Sequence, residues 1–348
     1  FSLMGAAGKS ADVLAALRRL FAAIWSFLQV FLAPLFGQSV RFQSGRRVTI
    51  VNQLAEGGFS FVFVARESGS GKRVALKKMI CQDDEAKESA RHEAEMHRKF
   101  QHENLLPLVD SSFEPHPGVP NWENCWFVFP LCDCSLRDEI TRRVLGEELI
   151  PWGPEEFLKM IRGICSGLLE MHRQGIAHKD LKPENVVLRK DASGAVGAPI
   201  LMDFGSCSAT EVPLKSRRDA AREVDLAAQL CTMQYRAPEL FDAPSEGVLS
   251  YAKADVWSLG ATVYCCLFGY SPFEVEFDEK PPCKPRQVDS GHLRVISGVP
   301  WPRGGPIVVP VPMREVIPWI LTVDPGKRPG VQEVLDRLGR APATFDIV

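Results

Sequence analysis

The stretch HKDLKPENVVL, His178 to Leu188, decides how this chain is read. It sets Asp180, Lys182 and Asn185 within six positions of one another, ahead of the apolar run Val186 to Leu188. Three more stretches follow in order: LMDFGS at Leu201–Ser206, RAPEL at Arg236–Leu240 and DVWSLG at Asp255–Gly260. VALKK, Val74–Lys78, comes before them all. Each charged residue alone reads as a solvated surface charge. The ordered set does not.

Upstream, apolar alternation begins near Val48. Val48–Gln53 reads as a strand, Glu56-Gly57-Gly58 turns the chain, and Ser60–Ala65 alternates again. Gly69, Gly71 and Lys72 make a second turn, and Val74–Met79 reads as a third strand. Residues 84 to 100, DEAKESARHEAEMHRKF, are good helix formers with few apolar contacts. Trp126–Leu131 reads as a further strand. From Pro154 on, long helical patterns dominate, and EEFLKMIRGICSGLLEMH ends near Gly175. A strand-rich lobe therefore precedes a larger helical one, an α+β, bilobal arrangement. The boundaries are about 46–131 for the first lobe and 132–340 for the second.

Composition is that of a globular protein: 348 residues, 45% hydrophobic and 24% charged. With 41 basic against 43 acidic residues, the net charge of −2 sets up no global field that would recruit nucleic acid. The 10 cysteines include no CxxC pair and read as free thiols in a reducing compartment.

Residues 1–40 form a separate segment. Residues 1 to 50 hold one acid, Asp12. From Val13 to Phe36, Arg18, Arg19, Ala22, Ser26, Gln29 and Ala33 fall on one face of a helix. Leu17, Leu20, Phe21, Ile24, Trp25, Leu28, Phe31, Leu32 and Leu35 fall on the other. Four readings fit: a membrane span of borderline length, an interfacial helix on anionic lipid, a cleaved targeting peptide, and a helix packed on the globular body. MGAAGKS, from Met4, narrowly misses a myristoylation pattern, which wants Ser or Thr one position before Ser10.

The four downstream motifs resemble those of protein kinases: H-R-D-L-x-x-x-N, D-F-G and A-P-E, in order and at sensible spacing. LAEGGFSFVFVA, VALKKM, EAEMHRKF, CTMQYRAPELF and TVDPGKRP resemble the Numb-associated kinase family, over about residues 46 to 340. The resemblance implies a bilobal kinase fold, ATP with Mg²⁺ (or Mn²⁺) and Ser/Thr acceptors on protein substrates. It also implies association with membrane lipid, here through residues 13–36, on the cytoplasmic face of a Golgi or vesicle membrane. If residues 1–40 are a targeting peptide, an organelle replaces that site; without an anchor, the cytoplasm does.

Roles carry over residue by residue. Lys77 would hold the α- and β-phosphates, oriented by Glu93, which stands nine residues before His102; Glu95 is the less favoured choice. Asp203 and Asn185 would hold the metal, Asp180 would accept the proton of the attacking hydroxyl, and Lys182 would stabilise the transferring phosphoryl. Ala55, Val62, Ala75 and Val187 would sandwich the adenine. Phe129 would guard the back pocket, and the backbone of Pro130, Leu131 and Cys132 would face the adenine edge. Glu56, Gly57, Gly58, Phe59 and Ser60 would form the phosphate loop. Glu239 should pair with Arg328, and Asp255 should hold the catalytic-loop backbone. An extra helix is expected within Arg218–Leu230, with Ala221, Val224, Ala228 and Leu230 at helical spacing.

Three departures stand out. Lys179 replaces an arginine that would grip an activation-loop phosphate through two parallel bonds. No cysteine precedes Cys81, so N-terminal palmitoylation does not carry over. Ala55 and Ser60 stand where the loop pattern has glycine. The altered loop and Lys179 alone favour an alternative, a pseudokinase scaffold acting by docking. A third reading, a small-molecule or lipid kinase, is opposed by the DLKPEN lysine and the APE block. Glu274–Pro312, rich in proline, is expected to be a surface loop or part of a docking surface.

Overall fold

The computed structural model describes residues 37–280, 283–289, 296, 298–303, 309 and 311–340. The expected anchor helix, residues 13–36, lies outside them. The structure has mixed α/β content and divides into two compact units.

The first unit takes in the chain through Lys87 together with Leu108–Leu131. Its centre is a six-stranded antiparallel sheet. The strands are β1 (Ser39–Arg41), β2 (Arg47–Gly57), β3 (Ser60–Glu67), β4 (Arg73–Cys81), β5 (Asp110–Pro115) and β6 (Glu123–Pro130), in the order β1-β2-β3-β4-β6-β5. Side chains alternate between the faces of a strand. On β4, Val74, Leu76 and Ile80 go to a buried cluster with Val48, Ile50, Phe61, Phe63 and Trp126. Ala75 and Lys77 take the opposite face. Gly69 and Gly71, at φ of 91° and 69°, turn β3 into β4 through left-handed backbone that glycine adopts without strain. β1 and β5 went unread in the sequence: one has three residues, and the other, DSSFEP, is too polar to show alternation.

The second unit comprises Glu88–Pro107 and the chain from Cys132 on. Helix α1 (Asp84–Lys99) therefore belongs mostly to it. Next come α2 (Leu136–Val144), α3 (Pro154–Arg173), α4 (Arg217–Leu230), α5 (Tyr251–Phe268), α6 (Val311–Ile320) and α7 (Val331–Arg340). Pro154 opens α3 at its first turn, where a missing N–H costs nothing. α5 is buried along nearly its whole length and forms the axis of the core. A Cβ on its Gly260 would lie 2.7 Å from Ile320 Cγ2, so that position is kept small by the close approach of α6.

Two expectations need correction. Helix α4 starts one residue early and buries Ala220, Glu223 and Ala227, while Ala221 and Ala228 are exposed. Its inward face is rotated because a glutamate, not an apolar residue, is turned toward the core. Within Glu274–Pro312, Val275–Phe277 and Pro285–Gln287 pair as a short hairpin and not as a plain loop. All ten cysteines are free thiols.

Candidate active site

The catalytic loop runs between short strand β7 (Ile176–Ala177) and β8 (Val186–Lys190). It has little regular structure, so its backbone donors need partners from elsewhere. Asp255, fully buried in the second turn of α5, supplies them. Its carboxylate accepts from His178 N (2.7 Å), Lys179 N (2.8 Å) and His172 Nε2 (2.8 Å). The expected structural role of Asp255 is thus what the geometry shows.

Lys179 adopts a left-handed backbone, φ 70°, and is buried. The buried ammonium lies 4.0 Å from the centre of the Tyr251 ring. Tyr251 OH in turn donates to Glu223 Oε2 of α4 at 2.8 Å. Burial lowers the Lys179 pKa, and Cys231, Glu223 and Asp255 act against that shift.

Asp180 is the hub of a tight network. Its Oδ1 accepts from Thr232 N (2.8 Å) and Thr232 Oγ1 (2.7 Å). Its Oδ2 accepts from Lys182 Nζ (2.7 Å) and Asn185 Nδ2 (3.1 Å). Lys182 Nζ also donates to Thr232 Oγ1 at 2.7 Å. Asn185 Nδ2 further donates to the Asp180 carbonyl at 2.8 Å, which commits the amide nitrogen and leaves Oδ1 as acceptor. An opening of about 510 Å³ lies beside Lys182 and Thr232, lined also by Arg137, Glu184, Tyr235 and Glu274.

Asp203 has φ 66° and begins the turn that buries Phe204. The Phe204 ring packs against His97 (4.3 Å between centroids), Phe100 (5.5 Å) and His178 (5.9 Å). At Gly205, a Cβ would stand 3.7 Å from both Asp203 Oδ1 and Glu93 Oε2, so both carboxylates lie beside this glycine. Glu93 is buried and Glu95 exposed, which separates the two candidates.

In the first unit, register gathers the remaining predicted residues. Ala55 pairs with Val62, Val62 with Lys77, and Ala75 with Phe129. Ala55, Val62, Ala75, Lys77 and Phe129 therefore share one face of the sheet. Glu56, Gly57 and Ser60 flank the tip, and Gly58-Phe59 is its two-residue turn. A Cβ on Gly57 or Gly58 would meet nothing within 4 Å, and neither has positive φ. These glycines answer no demand of the fold, and they leave the loop backbone open to close approach. Pro130 ends β6, with Leu131 and Cys132 following; burial pushes the Cys132 thiol up. Val187 sits on β8, paired with Ser135 and Ile200.

Thr232 and Glu223 were not singled out from the sequence. Thr232 sits inside the quoted block CTMQYRAPELF, which is the one signal that could have found it.

A base, a lysine and an amide clustered on one loop, with the Asp203 carboxylate on the segment that follows, define a phosphotransferase site on a protein-kinase fold. The protein kinase domain family matches residues 48–338, and the chain belongs to that family as a serine/threonine protein kinase. It is 34% identical to serine/threonine-protein kinase 16 of Rattus norvegicus over 294 residues, covering 84% of this chain and 90% of the relative. The Homo sapiens kinase of that name is also 34% identical, over 299 residues and the same shares. Serine/threonine-protein kinase ENV7 of Saccharomyces cerevisiae is 25% identical over 350 residues, covering 84% and 91%.

Proposed function

We propose that this kinase is catalytically active, uses ATP with Mg²⁺, and phosphorylates Ser or Thr of proteins at a membrane, in Golgi or vesicle traffic, as a Numb-associated kinase. The observation that carries the activity is the network around Asp180. A scaffold that had lost catalysis would have no need for four donors fixing both oxygens of that carboxylate.

The donor set fits a hard divalent cation: the Asp203 carboxylate and the Asn185 amide oxygen are oxygen ligands, the kind Mg²⁺ takes. Those two residues would hold the metal, and Lys77 the α- and β-phosphates. ATP bound with its cation supplies the transferable phosphoryl group and its charge neutralisation. Asp180 accepts the proton of the incoming hydroxyl at a carboxylate oxygen. Thr232 holds Oδ1 of that carboxylate in position, and Asn185 holds Oδ2. Lys182 places a positive charge where negative charge develops on the transferring group. The opening beside Lys182 and Thr232 receives the acceptor peptide. The activation segment is held by the Lys179–Tyr251–Glu223 contacts and does not require phosphate for its order.

The membrane reading is supported by the apolar face and basic residues of 13–36. Among the described residues no helix is long and apolar enough to cross a membrane.

The test of activity is transfer of labelled phosphate from Mg²⁺-ATP to a generic basic protein. Asp180→Asn is expected to lower kcat by about 10²–10⁴-fold while ATP binding persists. If wild type is as inert as the variant and both bind ATP, the scaffold reading replaces this one.

A further inference from the structure

Each of four adjacent strands carries one exposed arginine at the same end of the sheet: Arg41 on β1, Arg47 on β2, Arg66 on β3 and Arg73 on β4. The register puts Arg41 directly opposite Arg47 and Arg66 directly opposite Arg73. Thr49 joins the two pairs, since it faces Arg66 and lies two residues beyond Arg47. All four arginines therefore project from one face. At about 4.8 Å between strands they form a band about 14 Å wide.

Like charges directly opposite one another destabilise a sheet. Nothing in the described structure relieves these. None of the four arginines makes an ion pair among the described residues; Arg66 Nη1 donates to Gly71 O at 3.2 Å. From Gly37 to Gln82 the acids are Glu56 and Glu67. Glu67 points to the opposite face and pairs there with Arg46, which also reaches Asp110. Lys72, exposed in the adjoining turn, adds to the positive charge. In a chain of net charge −2, this is a local concentration of cation that packing does not explain.

We propose that Arg41, Arg47, Arg66 and Arg73 dock the kinase domain on the anionic headgroups of a membrane. Guanidinium forks match phosphate geometry with paired bonds, which suits a surface of phospholipid headgroups. The position of the band argues for a bilayer over a soluble anion. The amphipathic stretch Val13–Phe36 ends three residues before Ser39, which begins β1, and Ser39 pairs with Thr49 beside the arginines. A segment bound to lipid would deliver this end of the sheet to the same surface. The band also shares its face with Lys77, and Arg73 stands four residues, about 13 Å, along the strand from it. Docking would thus fix how the nucleotide-binding face is oriented against the bilayer. The inference rests on the membrane reading above.

The test is binding of the full chain to phosphatidylcholine vesicles with and without phosphatidylserine. Wild type should prefer the anionic vesicles. Replacing the four arginines with glutamine should weaken that binding by about fivefold per guanidinium at low salt. Binding to neutral vesicles and phosphorylation of a soluble peptide should stay unchanged, and stability should not fall. Arg73→Gln alone should give a single step of the same size. Glutamine at Arg286, Arg303, Lys327 and Arg337 removes equal charge elsewhere and should leave affinity intact. If wild type binds no vesicle, the membrane reading fails, and this inference with it. If wild type binds but the four-arginine variant matches it, or the control variant loses as much, the inference alone is overturned. Displacement by inorganic phosphate at matched ionic strength would instead reassign the band to a soluble anion.

Discussion

The hydroxyl of Thr232 makes two hydrogen bonds at once, donating to Asp180 Oδ1 and accepting from Lys182 Nζ. It thereby adds a second link between base and lysine, beside their direct bond through Asp180 Oδ2. Thr232→Val keeps the shape and removes both bonds. Kcat should fall by about a hundredfold, the cost of a misplacement of about 1 Å. KM for ATP should hardly move, and Thr232→Ser should restore most of the rate. Steady-state kinetics on a peptide substrate decide the matter; an unchanged kcat would remove Thr232 from the positioning role. Asp180, Lys182, Asn185 and Asp203 were legible in the sequence because their spacing is set by one loop and one turn. Thr232 was not, because its partners lie 50 and 52 positions away. Nor did the sequence announce the left-handed backbone of Lys179 and Asp203, which few residues other than glycine adopt.

Helix α4 shows how a polar residue can define the inner face of an element. Its boundaries were nearly readable: Ser216 caps it by accepting from Asp219 N, and the expected start differs by one residue. Its orientation was not. An apolar count favours Ala221 and Ala228, yet Glu223 faces inward because Tyr251 offers it a buried donor. Glu223→Ala leaves that hydroxyl without its acceptor and should cost about 1–3 kcal/mol. The helix should loosen, so limited proteolysis between Ser208 and Tyr235 should quicken in the variant. Tyr251→Phe combined with Glu223→Leu removes both partners and should cost less than Glu223→Ala alone. Equal digestion rates for wild type and Glu223→Ala would show that α4 is held by other contacts.

At the scale of the whole molecule, Arg328 ties together parts of the second unit that are far apart in sequence. Its guanidinium is fully buried and uses all five N–H donors. Two go to the Glu239 carboxylate at 2.7 and 2.9 Å, and the rest to the carbonyls of Lys253, Thr322 and Val323. Arg328→Met strands the Glu239 carboxylate in the interior and should cost about 3–5 kcal/mol. Adding Glu239→Leu should recover part of that loss. Urea unfolding of the three proteins measures it, and additive losses in the double variant would deny the pairing its importance. The Glu239–Arg328 pair was foreseen from the family motif, although the three carbonyls were not. By itself, then, the sequence determined the order of the motifs, the division into strand-rich and helical parts, and the chemistry of the loop, because these depend on local spacing and residue type. Tertiary structure decided which distant groups meet: Thr232 with Asp180, Glu223 with Tyr251, and four arginines on one face of a sheet. Those meetings depend on strand register and helix rotation. A shift of one residue in any of those strands would move its arginine to the other face, and nothing local in the sequence fixes that choice.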